Sequence, residues 1–349
     1  MEQQTKQEKV QAFNASGVGV ANHQFFGLPF NYEESDLVLF PVPWEVTVSY
    51  RAGTAKGADA MLNASTQIDL YDPDHHNGWH QGIFTKKSSS TIKKKNTELR
   101  KKAAAHIAAL EKGKHDDSAA LLDQVNKECE KLRKYVYGEA KQILNDNKIP
   151  GLVGGDHSTP LGLMEALGEK HGGFGILQID AHADLRNAYE GFTYSHASIM
   201  FNALQIENVK KLVQVGVRDI CDDEIDLINN SDRRVVTYFN HELKNAQYNG
   251  IQWSIICRQI IEELPKNVYV SFDIDGLDVK LCPNTGTPVP GGLEFEQAVY
   301  LINEIITSGR TIIGFDLVEV APGKDEWDAI VGARMLYKLC NLALKSNQQ

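Results

Sequence analysis

From residue 36 onward the chain alternates short runs of β-branched and aliphatic residues with stretches whose apolar positions recur every three or four residues. The first strand expected is 36–40, ended by Pro41 and Pro43. After a loop through Arg51 and Gly53, a short helix is expected over about 58–64. Further β-rich runs lie at 151–153, 174–179, 211–217, 234–238, 268–272 and 311–315. Helical patterns at 161–170, 251–264 and 295–306 separate most of them. Apolar runs without alternation belong to strands covered on both faces. The pattern therefore predicts an α/β fold, a mostly parallel sheet with helices on both sides.

Two stretches break this rhythm. Residues 1–35 form a polar arm that runs into an aromatic-rich, extended segment at 22–30, expected to lie over the domain or a neighbouring subunit. Residues 86–95 hold five lysines and three consecutive serines and read as a solvated loop. Beyond them Leu99, Ala103, Ile107 and Leu110 recur at helical spacing. After a break at 113–117, so do Leu122, Val125, Cys129, Leu132 and Val136. That is a helical hairpin with one apolar stripe per arm, read as a packed insertion. The organisation expected is an arm, 1–35, and a single domain, 36–349, carrying an insertion at about 85–147.

Composition narrows the function classes. Lys and Arg total 36 against 46 Asp and Glu, a net charge of −10, which disfavours nucleic acid and anionic membranes as partners. The polar start of the chain carries no signal-peptide pattern, and no apolar run reaches the ~20 residues of a spanning helix. Five widely spaced cysteines without a C-x-x-C pair read as reduced, buried thiols of a cytoplasmic protein.

The chemistry sits just after the strands. Gly154-Gly155-Asp156-His157-Ser158 follows 151–153, Asp180-Ala181-His182-Ala183-Asp184 follows 174–179, Asp273-Ile274-Asp275 follows 268–272, and Glu319 follows the last strand. In open α/β sheets ligands bind beyond the carboxyl ends of the strands. Alternate residues of an extended segment share a side, so Asp180, His182 and Asp184 face one way, as do Asp273 and Asp275. Taken singly, each motif also reads as a turn, an ion pair or a helix cap near Pro160. Together, four carboxylates and two imidazoles at one sheet edge would repel and rise in pKa without a cation, which points to metal. An oxygen-rich set with two imidazoles suits Mn²⁺, with Ni²⁺, Co²⁺ and Fe²⁺ left open. Six ligands exceed the three of a catalytic zinc and match two ions sharing bridging carboxylates.

These motifs, with Thr285-Gly286-Thr287-Pro288-Val289-Pro290-Gly291-Gly292 and Glu319-Val320-Ala321-Pro322, resemble the ureohydrolase family of arginases and agmatinases. The resemblance implies a three-layer α/β/α fold, a centre of two Mn²⁺ ions and hydrolysis of a guanidino carbon–nitrogen bond in a homotrimer or homohexamer. It assigns His157 and Asp184 to one ion, His182 and Asp275 to the other, and Asp180 and Asp273 to both. It makes His196 the active-site histidine, Glu319 the carboxylate that holds the guanidinium, and Thr287 a residue near the substrate. The departing amine needs a proton, and an imidazole titrating near working pH makes His196 its expected donor.

Departures from the family pattern bear on substrate. Gly191-Phe192-Thr193-Tyr194-Ser195-His196-Ala197 stands where arginases read the α-carboxylate, and Cys221 stands where they place an acid for the α-amine. Arginine is disfavoured. Ala58 and Ala197 replace agmatinase Pro and Gly, so the expectation is a small cationic guanidino substrate, agmatine-like or smaller. Guanidine itself, or hydrolysis of a formimidoyl or other amidine compound, is the enzymatic alternative. A catalytically silent metal-binding scaffold is the non-enzymatic one, although all six ligands are retained. A metallophosphoesterase would place its Asp-x-His motif first, and a deacetylase would keep one zinc and fewer carboxylates.

Overall fold

Eight strands form one sheet in a computed structural model that describes residues 4–114 and 118–348. Residues 115–117 of the break at 113–117 lie outside the described residues. The strands are β1 (Leu37–Val42), β2 (Ile83–Thr85), β3 (Ile149–Gly154), β4 (Phe174–Ile179), β5 (Val209–Val215), β6 (Val235–Tyr238), β7 (Asn267–Asp273) and β8 (Thr311–Val318). Their order is β2-β1-β3-β8-β7-β4-β5-β6, and every neighbouring pair is parallel.

Alternate strand residues feed two cores. Leu37, Leu39, Leu177, Val270, Phe272 and Phe315 meet the helices Gly57–Ser65, Trp253–Glu262, Phe295–Thr307 and Trp327–Ser346. Val38, Phe40, Val42, Ile176 and Tyr269 meet Ser90–Leu110, Ala119–Asn145, Leu161–His171 and Ile199–Ala203 on the other face. The result is a three-layer α/β/α architecture, in line with the periodicity of the strands. Of the predicted stripe residues, Leu99, Ala103, Ile107, Val125, Cys129, Leu132 and Val136 are buried in the second core, Leu122 packs against it half-buried, and Leu110, at the end of its helix, is half-exposed outside it.

Several local expectations are corrected. The lysine-rich stretch is not all loop, because the Ser89 hydroxyl accepts the Ile92 amide at 3.3 Å and starts a helix at Ser90 that buries Ile92. β1 continues through Pro41 to Val42; β2 stops opposite Leu39, which leaves Pro41 without a neighbour on that side. The edge strand β2 and the helix Trp327–Ser346 were not foreseen. The helix is apolar nearly all round and so lacks a one-faced period. Phe25, Phe26, Leu28 and Phe30 of the N-terminal segment lie in the first core, with Phe26 edge-on to Tyr337 at 4.8 Å. No helix among the described residues is long and apolar enough to cross a membrane.

The Trp327–Ser346 helix is pinned by one buried carboxylate. Asp72 accepts from Lys338 Nζ at 2.8 Å and Asn341 Nδ2 at 2.9 Å, and is itself 2% exposed. Burial opposes its ionisation, but the bonds from Lys338 and Asn341 outweigh burial and hold its pKa below 3.8. Asp72→Ala should cost about 2–4 kcal/mol, because it leaves the buried Asn341 amide unpaired and strips Lys338 of one of its two carboxylates, with only Asp74 left at 2.9 Å. The depressed pKa means this contribution is present above 3.8 and is lost as pH falls through the folded-state value. Urea melts should therefore separate variant from wild type at neutral pH and converge in strong acid.

Candidate metal centre

Four adjacent strands build one cavity floor. Register aligns Val153, Leu317, Phe272 and Ile179 in a single row across β3, β8, β7 and β4. The residues that follow therefore leave the sheet at one level: Asp180 directly after β4, Asp273 at the end of β7, Glu319 after β8 and His157 three residues past β3. β3 leads on to β4, three places away across β8 and β7, and this jump marks the switch point at which open α/β sheets bind ligands. The turn after β3 lies so close to Trp44 that a Cβ on Gly155 would come 1.8 Å from the Trp44 carbonyl oxygen, which only glycine avoids.

The six predicted ligands converge. His157 Nδ1 lies 3.0 Å from Asp180 Oδ2, 3.0 Å from Asp184 Oδ2 and 3.3 Å from Asp273 Oδ2. His182 Nδ1 lies 3.5 Å from Asp180 Oδ1 and 3.2 Å from Asp275 Oδ2. Two overlapping groups could each hold a metal ion, His157–Asp180–Asp273 and Asp180–His182–Asp275, with Asp180 common to both. None of the set is more than 6% exposed except His182, whose side chain is 22% exposed. Backbone amides also hold the carboxylates: Ala181 N donates to Asp275 at 3.0 Å, His182 N to Asp180 at 2.7 Å and Asp275 N to Asp273 at 2.8 Å.

The lone pairs fit a cation. The Ser271 hydroxyl donates to Asp316 at 2.9 Å, so it accepts the His157 Nε2 proton at 2.9 Å and leaves Nδ1 as a lone pair. That atom is buried without a hydrogen-bond partner, and so are Asp275 Oδ2 and Glu319 Oε2. A lone pair facing three carboxylate oxygens calls for a positive charge between them. Protons compete for that place. Burial works against charge on His157, yet the carboxylates of Asp180, Asp184 and Asp273, which would accept from a protonated Nδ1, push its pKa well above 6.5. Burial and the neighbouring Asp180 raise Asp184 to about 7. Burial, with Asp275 and Asp180, raises Asp273 well above the carboxylate range. Asp180 goes the other way: burial raises it, but the two imidazoles hold it low.

A second rank of polar residues, absent from the sequence expectations, runs one step below. Thr237, Gln214, Gln178, Ser271 and Asp316 align across β6, β5, β4, β7 and β8. Thr237 donates to Gln214 at 2.7 Å, Gln214 to Gln178 at 2.6 Å, and Gln178 to Asp180 at 2.9 Å. At the other end Tyr269 and Ser271 donate to Asp316, behind His157. The available signal was a single glutamine in the apolar strand β4 and another in the apolar end of β5, past Lys210 and Lys211.

The cavity above this floor has a volume of about 140 Å³. His196, Glu319 and Thr287 line it, together with Ser49, Arg186, Tyr189, Asp219 and Glu224, which sequence reasoning had not singled out. Glu319 Oε1 accepts the His157 amide at 2.9 Å, and its other oxygen stays free. Burial, then Asp156 and Asp275, raise its pKa well above 4.5. His196 has its ring nitrogens 3.4 Å from Ser49 Oγ and 3.3 Å from Ser195 Oγ. It does not titrate near neutrality as expected: burial, then the electrostatic influence of the nearby His182 and His157, lower it to about 3. Arg186 lies 4.8 Å from the Tyr189 ring centroid, with its Nε 3.8 Å from Glu224.

The arginase family's sequence pattern matches residues 35–341. The chain is 30% identical over 311 residues to the N(1)-aminopropylagmatine ureohydrolase of Thermus thermophilus, covering 89% of this chain and 91% of that one. It is 28% identical over 301 residues to the agmatinase of Halalkalibacterium halodurans, covering 84% and 87%. Its fold is similar to the crystal structure of agmatine ureohydrolase of Thermoplasma volcanium, with a TM-score of 0.70, 22% identity, and 98% and 99% of the two chains covered. A match over this span, whose motifs carry the converging ligands, places the chain in the arginase family.

Proposed function

We propose that this chain is a binuclear-metal hydrolase that cleaves a guanidino carbon–nitrogen bond and releases urea with an amine or ammonia. The observation that carries the reading is the buried His157 Nδ1 among three carboxylates, below a small cavity in which Glu319 keeps one oxygen free. His157 and Asp184 would hold one ion, His182 and Asp275 the other, and Asp180 and Asp273 both, with Mn²⁺ preferred and Ni²⁺ an alternative. Bound there, two divalent ions supply the Lewis acidity that makes water nucleophilic near neutral pH.

The chain's own residues do the rest. Glu319 Oε2 accepts from the guanidinium, and a cation laid there relieves the charge that burial, Asp156 and Asp275 impose on this carboxyl. Its other oxygen is fixed by the His157 amide, so the guanidino carbon is held over the metal ligands. Thr287 closes the wall of the same cavity. His196 is kept neutral, so it would take a proton from the attacking water and hand it to the leaving nitrogen as the carbon–nitrogen bond breaks, rather than storing one beforehand. The cavity is small beside the roughly 300–1,000 Å³ of sites for drug-sized ligands, which favours agmatine-like or smaller substrates. The relative named for agmatine supports this class, and the one named for the longer aminopropylagmatine supports the shared guanidino end. Assembly as a homotrimer or homohexamer belongs to the same reading.

Replacing His182 or Asp273 by Ala should abolish metal uptake and turnover together, measured by metal analysis after dialysis and by urea release. Undiminished urea release from either variant would refute the ligand assignment. His196→Ala should retain its metal and lose rate by ~10²–10⁴, the range for a proton-transfer group; an unchanged rate discards that role. Urea release from guanidine, agmatine, arginine and guanidino acids, run with Mn²⁺ and then Ni²⁺, tests the substrate class. The expected preference is for agmatine or guanidine over arginine, and a clear preference for arginine overturns it.

A further inference from the structure

We propose that the helical pair Ser90–Leu110 and Ala119–Asn145 is a clamp that holds the 186–196 loop against the cavity, with Asn126 as its positioning residue. This inference rests on the reading above, in which that loop faces substrate.

The loop supplies three of the residues that line the cavity: Arg186, Tyr189 and His196. Its backbone is unusual. Ala188, Glu190 and Gly191 have φ of 49°, 54° and 82°, so two L residues occupy the left-handed region beside the glycine. Local bonds alone close it weakly, with Gly191 N donating to Ala188 O at 2.8 Å and Phe192 N to Tyr189 O at 2.9 Å. Such a conformation persists only where surrounding structure over-determines it.

Both helices supply that structure. The Asn126 amide donates to Gly191 O at 3.1 Å and accepts from Thr193 N at 3.0 Å, bracketing Phe192. His106, from the other helix, bonds Glu190 O through Nε2 at 2.9 Å, while its Nδ1 meets the Ser118 hydroxyl at 2.8 Å. Because a carbonyl only accepts, Nε2 carries the proton and both ring nitrogens are committed. The His106 ring also lies edge-on to the buried Phe192 at 5.2 Å. The backbone polar groups of residues 190, 191 and 193 are thus held from outside by side chains that touch none of the metal ligands.

The inner side of the loop passes this order to the site. Tyr189 lies edge-on to His196 at 6.3 Å and carries the Arg186 guanidinium on its face. The metal ligands hang from strand ends and turns. His196 follows its own Ser195-capped turn, in which Ser195 Oγ accepts the Ala197 amide at 3.3 Å. Loss of the clamp therefore displaces Tyr189 and Arg186 most, His196 less and the ligands least. The expected signature is weakened substrate binding with the metal retained.

The test uses the full-length Mn²⁺-loaded protein with Asn126→Leu, which removes both bonds at similar volume, and Asn126→Asp, which keeps only the acceptor. In N126L, metal content should match wild type, and amides 187–193 should exchange hydrogen about tenfold faster. KM for the best substrate of the panel should rise about tenfold with kcat changed by less than about threefold, and N126D, which sets a carboxylate oxygen against Gly191 O, should show a rise of at least the same sign. Unchanged exchange and unchanged KM in N126L would overturn the clamp, and so would loss of metal in step with activity. Should N126L not fold, N126D decides on the same two readouts. A wild type that releases no urea from any guanidino compound sinks the proposed function instead, and the exchange rates still judge the clamp.

Discussion

Burying one carboxylate away from water costs several kcal/mol unless it is paired, and this chain buries Asp180, Asp184 and Asp273 around one imidazole lone pair and Asp275 beside a second imidazole. Much of the architecture answers that demand. The parallel register brings the four carrying strands side by side, so no ligand has to reach. Backbone amides of the strand-end turns saturate some of the carboxylate oxygens, and the row from Thr237 to Asp180 fixes another. What the backbone leaves unsatisfied is a small set of oxygens and one nitrogen, all pointing inward. That remainder defines the site: it is attractive to divalent cations and hostile to anything neutral.

The motifs were legible because their spacing and their position after apolar runs carry physical content. A strand end followed by Asp-x-His-x-Asp presents its polar residues on one side whatever the rest of the fold does. The two faces of the sheet were legible for the same reason. The buried polar row was not, since Gln178 and Gln214 are isolated among apolar neighbours in strands β4 and β5, and only register shows that they meet. The state of His196 was hidden too, because its titration depends on enclosure and on His157 and His182, both remote in sequence. The aromatic segment at 22–30 betrayed no period because its rings enter the core from an irregular backbone, Phe26 with a φ of 64°.

Charge at the cavity mouth is mixed. Arg186 stands between Tyr189 and Glu224, and the two oxygens of Glu224 already accept the amides of Leu185 at 2.9 Å and Cys221 at 3.1 Å. Asp219 lies on the same wall and is largely open to solvent. In the proposed reaction, discrimination among guanidino compounds would fall to this mixed-charge wall, and Glu319 would hold the guanidinium they share.

The place of β8 in the sheet has a temporal consequence. It is the last strand to be synthesised, yet it lies between β3 and β7. Until it inserts, the β2-β1-β3 portion bearing His157 has no edge in common with the β7-β4-β5-β6 portion bearing Asp180, His182 and Asp275. One cation-binding group is therefore complete within a single half, while the other spans the seam that β8 closes. In the proposed centre, topology would set the order of assembly: the first group can form before the sheet is stitched shut, whereas the second forms only afterwards.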